Sequence, residues 1–378
     1  HKEYRRQRQM CIRDSSSGYR WSVGSLSING YEYSLVQGGI SGNTNDWYLT
    51  SEASQVAPEG GAYIGTQQAT RTMFDHGLQD RASKRSLGAD RQDSGLWMRA
   101  QGRHDKGMRM AEGKVDIDSS SDVVQMGGAL LRRPVGAQGA LYAGLMAGYG
   151  DARIDSTSTL MRRDTNTAVR AKAHGKVSGY SAGVYGTFYA DDVNRLGAYV
   201  DTWLQYGRYT NRLSSELGSA DYDSNLWSAS LESGYALAPF AADSPFRAWV
   251  VEPRGQLIYS RYTARAADLQ DTRLRNGTAD AWRSSIGVRL YQQPGQAADE
   301  SVLRPFVETN WLHSEAVPSV RMGSNSFDAR PSRDALELKV GAQLRVARDV
   351  ELSSHLFGHS GSASEYGYGG QLSLSYSW

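Results

Sequence analysis

The chain ends in GGQLSLSYSW (Gly369–Trp378), which alternates apolar and small polar side chains up to a terminal aromatic residue. Strict alternation is the period of a β-strand with two unlike faces. The apolar face carries Leu372, Leu374, Tyr376 and Trp378. Aromatic rings are enriched at membrane–water interfaces, where one end lies in lipid and the polar tip in water. The stretch therefore predicts a lipid-facing last strand, whose free edge would serve as an assembly signal for a machine that inserts barrels.

The same alternation recurs in twelve segments between Ser94 and Trp378, each long enough for a tilted membrane strand, which needs about 9–11 residues. The predicted strands are Ser94–Asp105, Ser121–Arg133, Gln138–Asp151, Lys176–Ala190, Leu196–Thr210, Tyr222–Ala238, Arg247–Tyr262, Ala279–Gln293, Ser301–Glu315, Arg333–Ala347, Val350–Gly358 and Glu365–Trp378. A twelve-stranded antiparallel transmembrane β-barrel over 94–378 is the all-β fold that this pattern predicts.

The two faces of these segments differ in chemistry. In the tenth segment, Leu336 and Leu338 lie on one face, and Glu337 and Lys339 lie on the other. A soluble β-sandwich has the same period, with its apolar face in a core. Soluble strands average only about 5–6 residues, so the longer segments favour the membrane barrel over the sandwich. The chain has no run of 18 apolar residues, which speaks against a transmembrane helix.

Long and short connections alternate between the predicted strands. The long polar connections are Lys106–Ser120, Ala152–Gly175, Asn211–Asp221, Thr263–Thr278 and Ala316–Ser332. The short turns are Pro134–Ala137, Asp191–Arg195, Pro239–Phe246, Pro294–Glu300 and Arg348–Asp349. Bacterial outer-membrane barrels have long extracellular loops and short periplasmic turns, so both ends of the barrel are predicted to lie on the periplasmic side.

Three different segments precede the barrel. Residues 1–17 are basic and aperiodic and fit nothing downstream, which indicates translated vector sequence or, alternatively, a disordered linker. Residues 18–51 carry short β patterns between Gly and Asn turn signals and are too few to bury a core alone. They are predicted to be the last rungs of a stacked β structure. Residues 52–93 are predicted to form a linker, Glu52–Gly61, followed by a single helix from Ala62 to about Ser86.

Polar residues occur almost all the way round the predicted helix, which suits a hydrated pore better than a soluble core. Its proposed lumen contacts are Gln67, Arg71, Asp75, Asp80 and Arg81. The wall residues that alternation places on the lumen face are Arg99, Arg103, Asp201, Glu232, Glu252, Arg254, Arg283, Arg289, Glu308, Glu337, Lys339 and Arg345. These wall charges either bind the helix or pair with one another across the lumen, and the two interpretations are compatible.

Several stretches together resemble the autotransporter family of type V secretion, in its pertactin-like branch, over about Gly18 to Trp378. Tyr31–Val36 and Asn45–Leu49 resemble the end of a passenger β-helix, and Ala62-Tyr63 resembles the start of the linker helix. The strand stretches that add to the resemblance are Leu96–Arg99, Glu252–Leu257, Arg304–His313 and the last strand. The resemblance implies an outer-membrane translocator that anchors and helps export an N-terminal passenger to the surface of a Gram-negative cell.

The same resemblance implies partners: outer-membrane lipid, the barrel assembly machinery, periplasmic chaperones and the chain's own passenger, around a monomeric barrel. Some family members cut themselves at paired asparagines near the helix start. This sequence has no Asn-Asn dipeptide, so cleavage by that route is not expected.

Other functions are weakly supported by the sequence. A net charge of +2 gives no basis for nucleic-acid binding. The sequence contains no HExxH, GxSxG or P-loop motif, and neither a catalytic residue, a metal site nor a cofactor is predicted. The histidines that could serve a barrel-rim enzyme are His104, His174, His313, His355 and His359. A porin-like diffusion channel is the other alternative, although a porin has no use for the β block before the helix.

Overall fold

The computed structural model describes residues 11–12, 26–28, 30–37, 47–81, 95–162, 167–270, 272–276, 280–293, 303–347 and 349–377. Before the barrel, the elements are β1 (Cys11–Ile12), β2 (Leu26–Ile28), β3 (Tyr31–Gln37), β4 (Trp47–Val56), α1 (Glu59–Thr72) and α2 (Leu78–Arg81). The next are β5 (Gly95–Met110), β6 (Val115–Val135), β7 (Gly139–Arg162), β8 (Thr167–Tyr189), β9 (Gly197–Ser215), β10 (Gly218–Ala236), β11 (Trp249–Ala264), β12 (Ala267–Leu269) and β13 (Thr272–Asn276). The last are β14 (Asp280–Gln292), β15 (Arg304–Ser314), β16 (Ser319–Met322), β17 (Asn325–Asp328), β18 (Asp334–Ala347), β19 (Val350–Gly361) and β20 (Tyr366–Ser377).

Twelve of these strands form a closed antiparallel barrel, which confirms the predicted fold class. Each strand pairs with its neighbours in the order β5-β6-β7-β8-β9-β10-β11-β14-β15-β18-β19-β20, and β20 pairs with β5 to close the ring. The closing register runs from Ser377 opposite Gly95 to Tyr366 opposite Lys106. Closure leaves no free strand edge in the wall, which is the condition for a sheet that crosses a bilayer.

The outer face of the wall is apolar and the inner face is largely polar. Large side chains that stay exposed on the outside include Leu145, Leu204, Leu231, Ile286, Leu336, Leu338, Val340 and Leu356. Outward aromatic pairs, such as Tyr206–Trp227 and Tyr259–Trp282, belong to the same outer face. A soluble sandwich would bury these residues in a core, so the alternative of a soluble fold does not fit this arrangement.

The predicted long loops are mostly strand, and this part of the prediction is wrong. Strands β5 and β6 extend to Met110 and from Val115, so Lys106–Ser120 is a hairpin with a short turn. The same holds for Ala152–Gly175 and Asn211–Asp221, which continue β7–β8 and β9–β10. The reason is that their inward positions are apolar, since Met110, Val115 and Ile117 are buried against the chain inside the barrel.

The two remaining long connections together build a small sheet of their own. Its strand order is β12-β13-β16-β17, all antiparallel, with Leu274 opposite Met322 and Val320 opposite Phe327. We call this element the loop sheet. It lies at the long-loop end of the barrel, because its strands leave and re-enter the wall at the ends of β11, β14, β15 and β18.

The N-terminal block forms a second small sheet, in the order β1-β4-β3-β2. Its described pairs are antiparallel, whereas stacked β-helix rungs pair in parallel, so the predicted rungs are replaced here by an antiparallel sheet. Cys11 and Ile12, which the sequence pattern places outside the fold, pair with Tyr48 and Trp47. Strand β4 also takes up Glu52–Val56, so the predicted linker shortens to Ala57-Pro58 before α1 begins.

The single predicted helix is instead two helices. It begins at Glu59, directly after Pro58, and stops at Thr72; a second turn of helix spans Leu78–Arg81. The predicted end at Ser86, like Ser94 and Trp378, lies outside the described residues. Within the described part of the chain, no helix is long and apolar enough to cross a membrane.

Candidate functional site in the barrel interior

Helix α1 lies inside the barrel, packed against the wall formed by β6, β7, β8 and β9. Two glycines allow this close approach. A β-carbon on Gly61 would collide with Ser156, and one on Gly65 would collide with Ile154. The Ser156 hydroxyl also donates to the Pro58 carbonyl over 2.7 Å, which fixes the start of the helix against β7. The glycines therefore set the helix to one side of the lumen rather than at its centre.

The half of the lumen nearest the long loops is an apolar core, not a hydrated pore. Tyr63 and Ile64 of α1 are fully buried there. Their cluster includes Met110, Val115, Ile117, Ile154, Leu213, Tyr222, Tyr262, Leu269, Leu274, Val320 and Met322. Our prediction of a polar helix surrounded by water is wrong for this half. Most of the apolar residues that line it come from the hairpin extensions and the loop sheet, which the sequence pattern predicts as polar loops, whereas Tyr222 and Tyr262 belong to predicted strands.

The chain breaks between α1 and α2 at Gly77, where wall and helix groups satisfy the new helix start. The Asp80 carboxylate accepts the Gly77 N–H over 2.8 Å, as in a capping box. The Leu78 N–H donates to the Glu232 carboxylate over 2.9 Å. A wall carboxylate at a helix N-terminus is favoured by the unpaired N–H groups and the helix dipole. Glu232 thus positions α2 in the half of the lumen nearest the short turns.

Arg81 forms a buried ion pair at the C-terminal end of the pore segment, which we define as Pro58–Arg81. Its guanidinium pairs with Asp201, and both side chains are almost completely buried, at 2% and 0% exposure. Arg81 also donates to His76 over 2.8 Å and lies 4.3 Å from the Tyr185 ring centroid. His76 in turn stacks on Trp203 with ring centroids 5.0 Å apart. Sequence reasoning missed His76, because no pattern marks a single histidine as a buried contact.

The other predicted helix residues lie on different sides of the lumen. Asp75 pairs with Arg283, whose second nitrogen donates to it over 3.0 Å, and Arg283 also donates to the Arg71 carbonyl. Asp80 accepts from Gln371 of the last strand over 3.2 Å. The Arg71 guanidinium lies 6.0 Å from the Tyr262 ring centroid, and Gln67 is fully buried. Four of the five predicted helix residues therefore face wall groups, and the fifth, Gln67, is buried in the lumen.

The predicted wall residues fall into a helix-binding group and a group that pairs within the wall. Asp201, Glu232, Glu252 and Arg283 contact the pore segment, Glu252 through Gln79 over 3.2 Å. Seven of the other eight predicted wall residues interact with wall groups, and the eighth, Arg345, lies on the same face of β18 as Lys339. Their contacts are Arg99 to Gln125 and Gln371, Arg103 to Asp105, Arg254 to Glu232, Arg289 to Glu308, and Lys339 to Glu308 and Glu337. Both arrangements left open by the sequence occur side by side.

A cavity of about 230 Å³ remains on the side of the lumen opposite α1. Its lining is charged and comes from the pore segment and from strands β5, β10, β11, β14, β15 and β18 to β20. Representative lining residues are Asp75, Arg103, Arg283, Arg289, Glu308, Glu337, Lys339 and His355. The pore segment thus fills one side of the barrel and leaves a narrow polar space on the other.

The turn between β8 and β9 forms a compact charged cluster at the short-turn end. Asp192 accepts from Arg132 over 2.9 Å and from Tyr142 over 2.8 Å, and Arg195 pairs with it at 3.0 Å. The Arg195 guanidinium lies 3.7 Å from the Tyr189 ring centroid. Burial alone raises the pKa of Asp192, but Arg195 and these hydrogen bonds outweigh it and leave the pKa below its ordinary value. The sequence pattern predicts only a short turn here.

The proposed assembly signal lies on the outer face of the last strand. Leu372, Leu374 and Tyr376 are 51%, 41% and 44% exposed, whereas Trp378 lies outside the described residues. Their neighbours across the closing seam are Ala100, Met98 and Leu96. In the finished barrel this strand is paired on both edges, so any recognition of its edge would precede closure.

The rim histidines do not converge. His174 pairs with Asp155 on the exposed outer surface, and His313 lies between Asp334 and Glu315 at 2.8 Å from each. His104 packs on Tyr368, while His355 and His359 face the lumen. Across the described ranges, no group of three or more His, Cys, Asp or Glu side chains is placed to hold a metal ion.

Comparisons with known proteins agree with this architecture. The family profile described as "Autotransporter beta-domain" matches residues 96–355. The Escherichia coli protein named "Uncharacterized protein YdeU" is 28% identical over 97% of this chain and 84% of its own length. The Escherichia coli autotransporter adhesin AIDA-I is 25% identical over 97% of this chain but only 29% of its own length. The chain therefore spans most of one relative and less than a third of the other.

Solved structures share the fold. The crystal structure of the transport unit of AIDA-I from Escherichia coli superposes with a TM-score of 0.73 at 22% identity, over 86% of this chain and all of that chain. The translocator domain of the autotransporter NalP from Neisseria meningitidis gives a TM-score of 0.51 at 14% identity, over 75% of this chain and 89% of that chain. At these identities the likeness shows the fold alone.

Proposed function

Because the chain belongs to the autotransporter beta-domain family and is an outer-membrane translocator, we propose that its Pro58–Arg81 segment is the trace of an exported N-terminal passenger, retained as a plug. The observation that carries this proposal is the path of the chain. Gly61 and Gly65 pack near the long-loop end, while Leu78 and Arg81 lie near the short-turn end beside Tyr142 and Tyr189. The chain upstream of α1 therefore leaves the barrel on the extracellular side.

The charge pattern of the lumen supports the same role. Export requires the pore to release an unfolded chain and then to hold the last segment in one place. A few buried, geometrically defined contacts do the second task, namely Arg81–Asp201, Asp75–Arg283 and Leu78–Glu232. Charges that pair within the wall keep the rest of the lumen polar without binding the segment strongly.

The proposal extends to partners. Outer-membrane lipid would contact the apolar outer band, and the barrel assembly machinery would read Leu372, Leu374, Tyr376 and Trp378 before β20 pairs with β5. Periplasmic chaperones would carry the chain before insertion, and the finished barrel would act as a monomer with its own passenger. We propose a structural role for the paired charges of the lumen, such as Arg81–Asp201 and Arg289–Glu308.

Export is tested by placing an epitope tag and a reporter ahead of residue 18, behind a signal peptide. Intact cells would be labelled with an antibody that cannot cross the outer membrane, and heat-dependent gel mobility would report barrel closure. We expect labelling of intact cells together with a mobility shift on boiling. A folded barrel whose tag is labelled only after permeabilisation would overturn the export proposal and favour the porin-like alternative.

A further inference from the structure

The loop sheet has an apolar face that is already occupied by the N-terminal part of the chain. Leu274, Val320 and Met322 are buried at 0–1% exposure, although they belong to connections outside the barrel wall. They join the same hydrophobic cluster as Tyr63 of the pore segment. The loop sheet is thus continuous with the lumen core, and its face is formed by residues from the barrel half of the polypeptide.

The occupant of this face is the turn between β2 and β3. The Tyr31 ring packs on Phe327 with ring centroids 5.3 Å apart. Gly30 approaches so closely that a β-carbon there would lie 2.8 Å from the Met322 sulfur and from a Phe327 ring carbon. Gly30 also has a φ of +90°, which disfavours other residues at this position. Only glycine fits both the space and the backbone, so the contact is specific.

A hydrogen bond connects this contact to the entry of the pore segment. The Ala57 N–H donates to the Gly30 carbonyl over 2.8 Å, and Ala57 is fully buried. Gly60, at the start of α1, also faces Met322, since a β-carbon at this position would lie 2.9 Å from the Met322 sulfur. One methionine therefore contacts both the chain that has left the barrel and the helix still within it.

We propose that the loop sheet is a docking platform for the last strands of the passenger, which it holds at the barrel mouth through Met322 and Phe327. This inference rests on the proposed export function and names the first ordered surface that the emerging chain meets. Docking of Gly30–Tyr31 on that surface orders the β2–β3 turn directly above the pore. The remaining passenger strands then have a fixed edge against which to pair.

The test uses the complete tagged chain on intact cells, with variants Phe327→Ala and Gly30→Val. Val317→Ala is the matched control, because Val317 lies in the same connection but is 40% exposed. Protease is added outside, and loss of the N-terminal tag is timed beside heat-dependent mobility of the barrel. Because cleavage follows the population of the undocked segment, we expect about tenfold faster tag loss in both variants and no change in the control.

The following outcomes decide the proposal. Normal surface labelling with an unchanged rate of tag loss in Phe327→Ala would refute the docking proposal and leave the export proposal standing. So would a rate of tag loss in Val317→Ala that rises as much as in Phe327→Ala. Absence of surface labelling in the unaltered chain would refute export itself. If Phe327→Ala prevents barrel closure, Tyr31→Ala, which leaves every residue of the barrel and the loop sheet unaltered, replaces it. Tag loss in Tyr31→Ala should also be about tenfold faster on intact cells, and tag loss at the rate of the unaltered chain would equally refute the docking proposal.

Discussion

Replacement of Arg81 by methionine should loosen the pore segment more than any surface charge change. Arg81→Met leaves Asp201 buried with a single donor, the Thr187 hydroxyl at 2.6 Å. Loss of one partner from a buried ion pair costs about 3–5 kcal/mol, because the remaining charge is uncompensated. Since every 1.4 kcal/mol is tenfold, the undocked population should rise by a factor of roughly 10² to 4 × 10³.

Hydrogen exchange across residues 73–81 in lipid vesicles, read by mass spectrometry, measures that population directly. The matched control is Arg109→Met, whose partner Asp116 is 60% exposed and whose loss should cost only about 0–1 kcal/mol. Adding Asp201→Asn to Arg81→Met should restore most of the protection, since it removes the buried charge. Equal exchange in Arg81→Met and Arg109→Met, or no recovery in the double variant, would refute the reasoning.

Three further predictions concern packing, pH and lipid. Gly65→Val should destabilise the barrel by about 1–3 kcal/mol in thermal unfolding because it collides with Ile154, and Ile154→Ala should relieve the effect. The pKa of Asp192 is lower in the folded barrel than in the unfolded chain, so its ionised form stabilises the barrel fully above the unfolded pKa of about 3.9. This stabilisation is lost as the pH falls through the folded pKa. Asp192→Asn should therefore lower the free energy of unfolding, measured by urea denaturation, at pH 6 and have progressively less effect in acid. Val340→Arg places a charge in the middle of the outer apolar face and should cost about 2–4 kcal/mol in refolding into vesicles, with an unchanged midpoint contradicting the lipid-facing assignment.

The barrel was predictable because its signal is periodic and repeated. Alternation such as Leu336, Leu338 and Val340 opposite Glu337 and Lys339 fixes a face for every residue, and the faces survive small errors in strand ends. All twelve strands were placed, each overlapping its predicted range. The same alternation assigned the wall charges to the inner face, although it carried no information about their partners.

The errors came from residues whose environment depends on distant chain segments. Met110, Val115 and Ile117 looked like scattered residues of a polar loop, yet they are buried because α1 covers them. The break at Gly77 depends on Glu232, far away in sequence, which accepts the Leu78 N–H. Local propensity cannot contain such information, and for this reason the single helix and the hydrated pore were wrong.

The loop sheet shows the same limit. Ser319–Met322 and Asn325–Asp328 are too short to predict as strands, and their partner β13 lies in another connection. Phe327 and Met322 gain their burial from Tyr31, Gly30 and the pore segment. Two connections that the sequence treats as separate loops become one surface only in the folded barrel.

The central claim is that the pore segment occupies the lumen of a closed outer-membrane barrel. The direct measurement is cysteine crosslinking of Asp75→Cys with Arg283→Cys, in a Cys11→Ser background, in outer membranes of intact cells. Ser228→Cys with Ser260→Cys, directly opposed on β10 and β11, is the control for thiol access to the lumen. We predict that both pairs link and that the barrel keeps its heat-dependent mobility. A linked control beside an unlinked Asp75–Arg283 pair would contradict the claim.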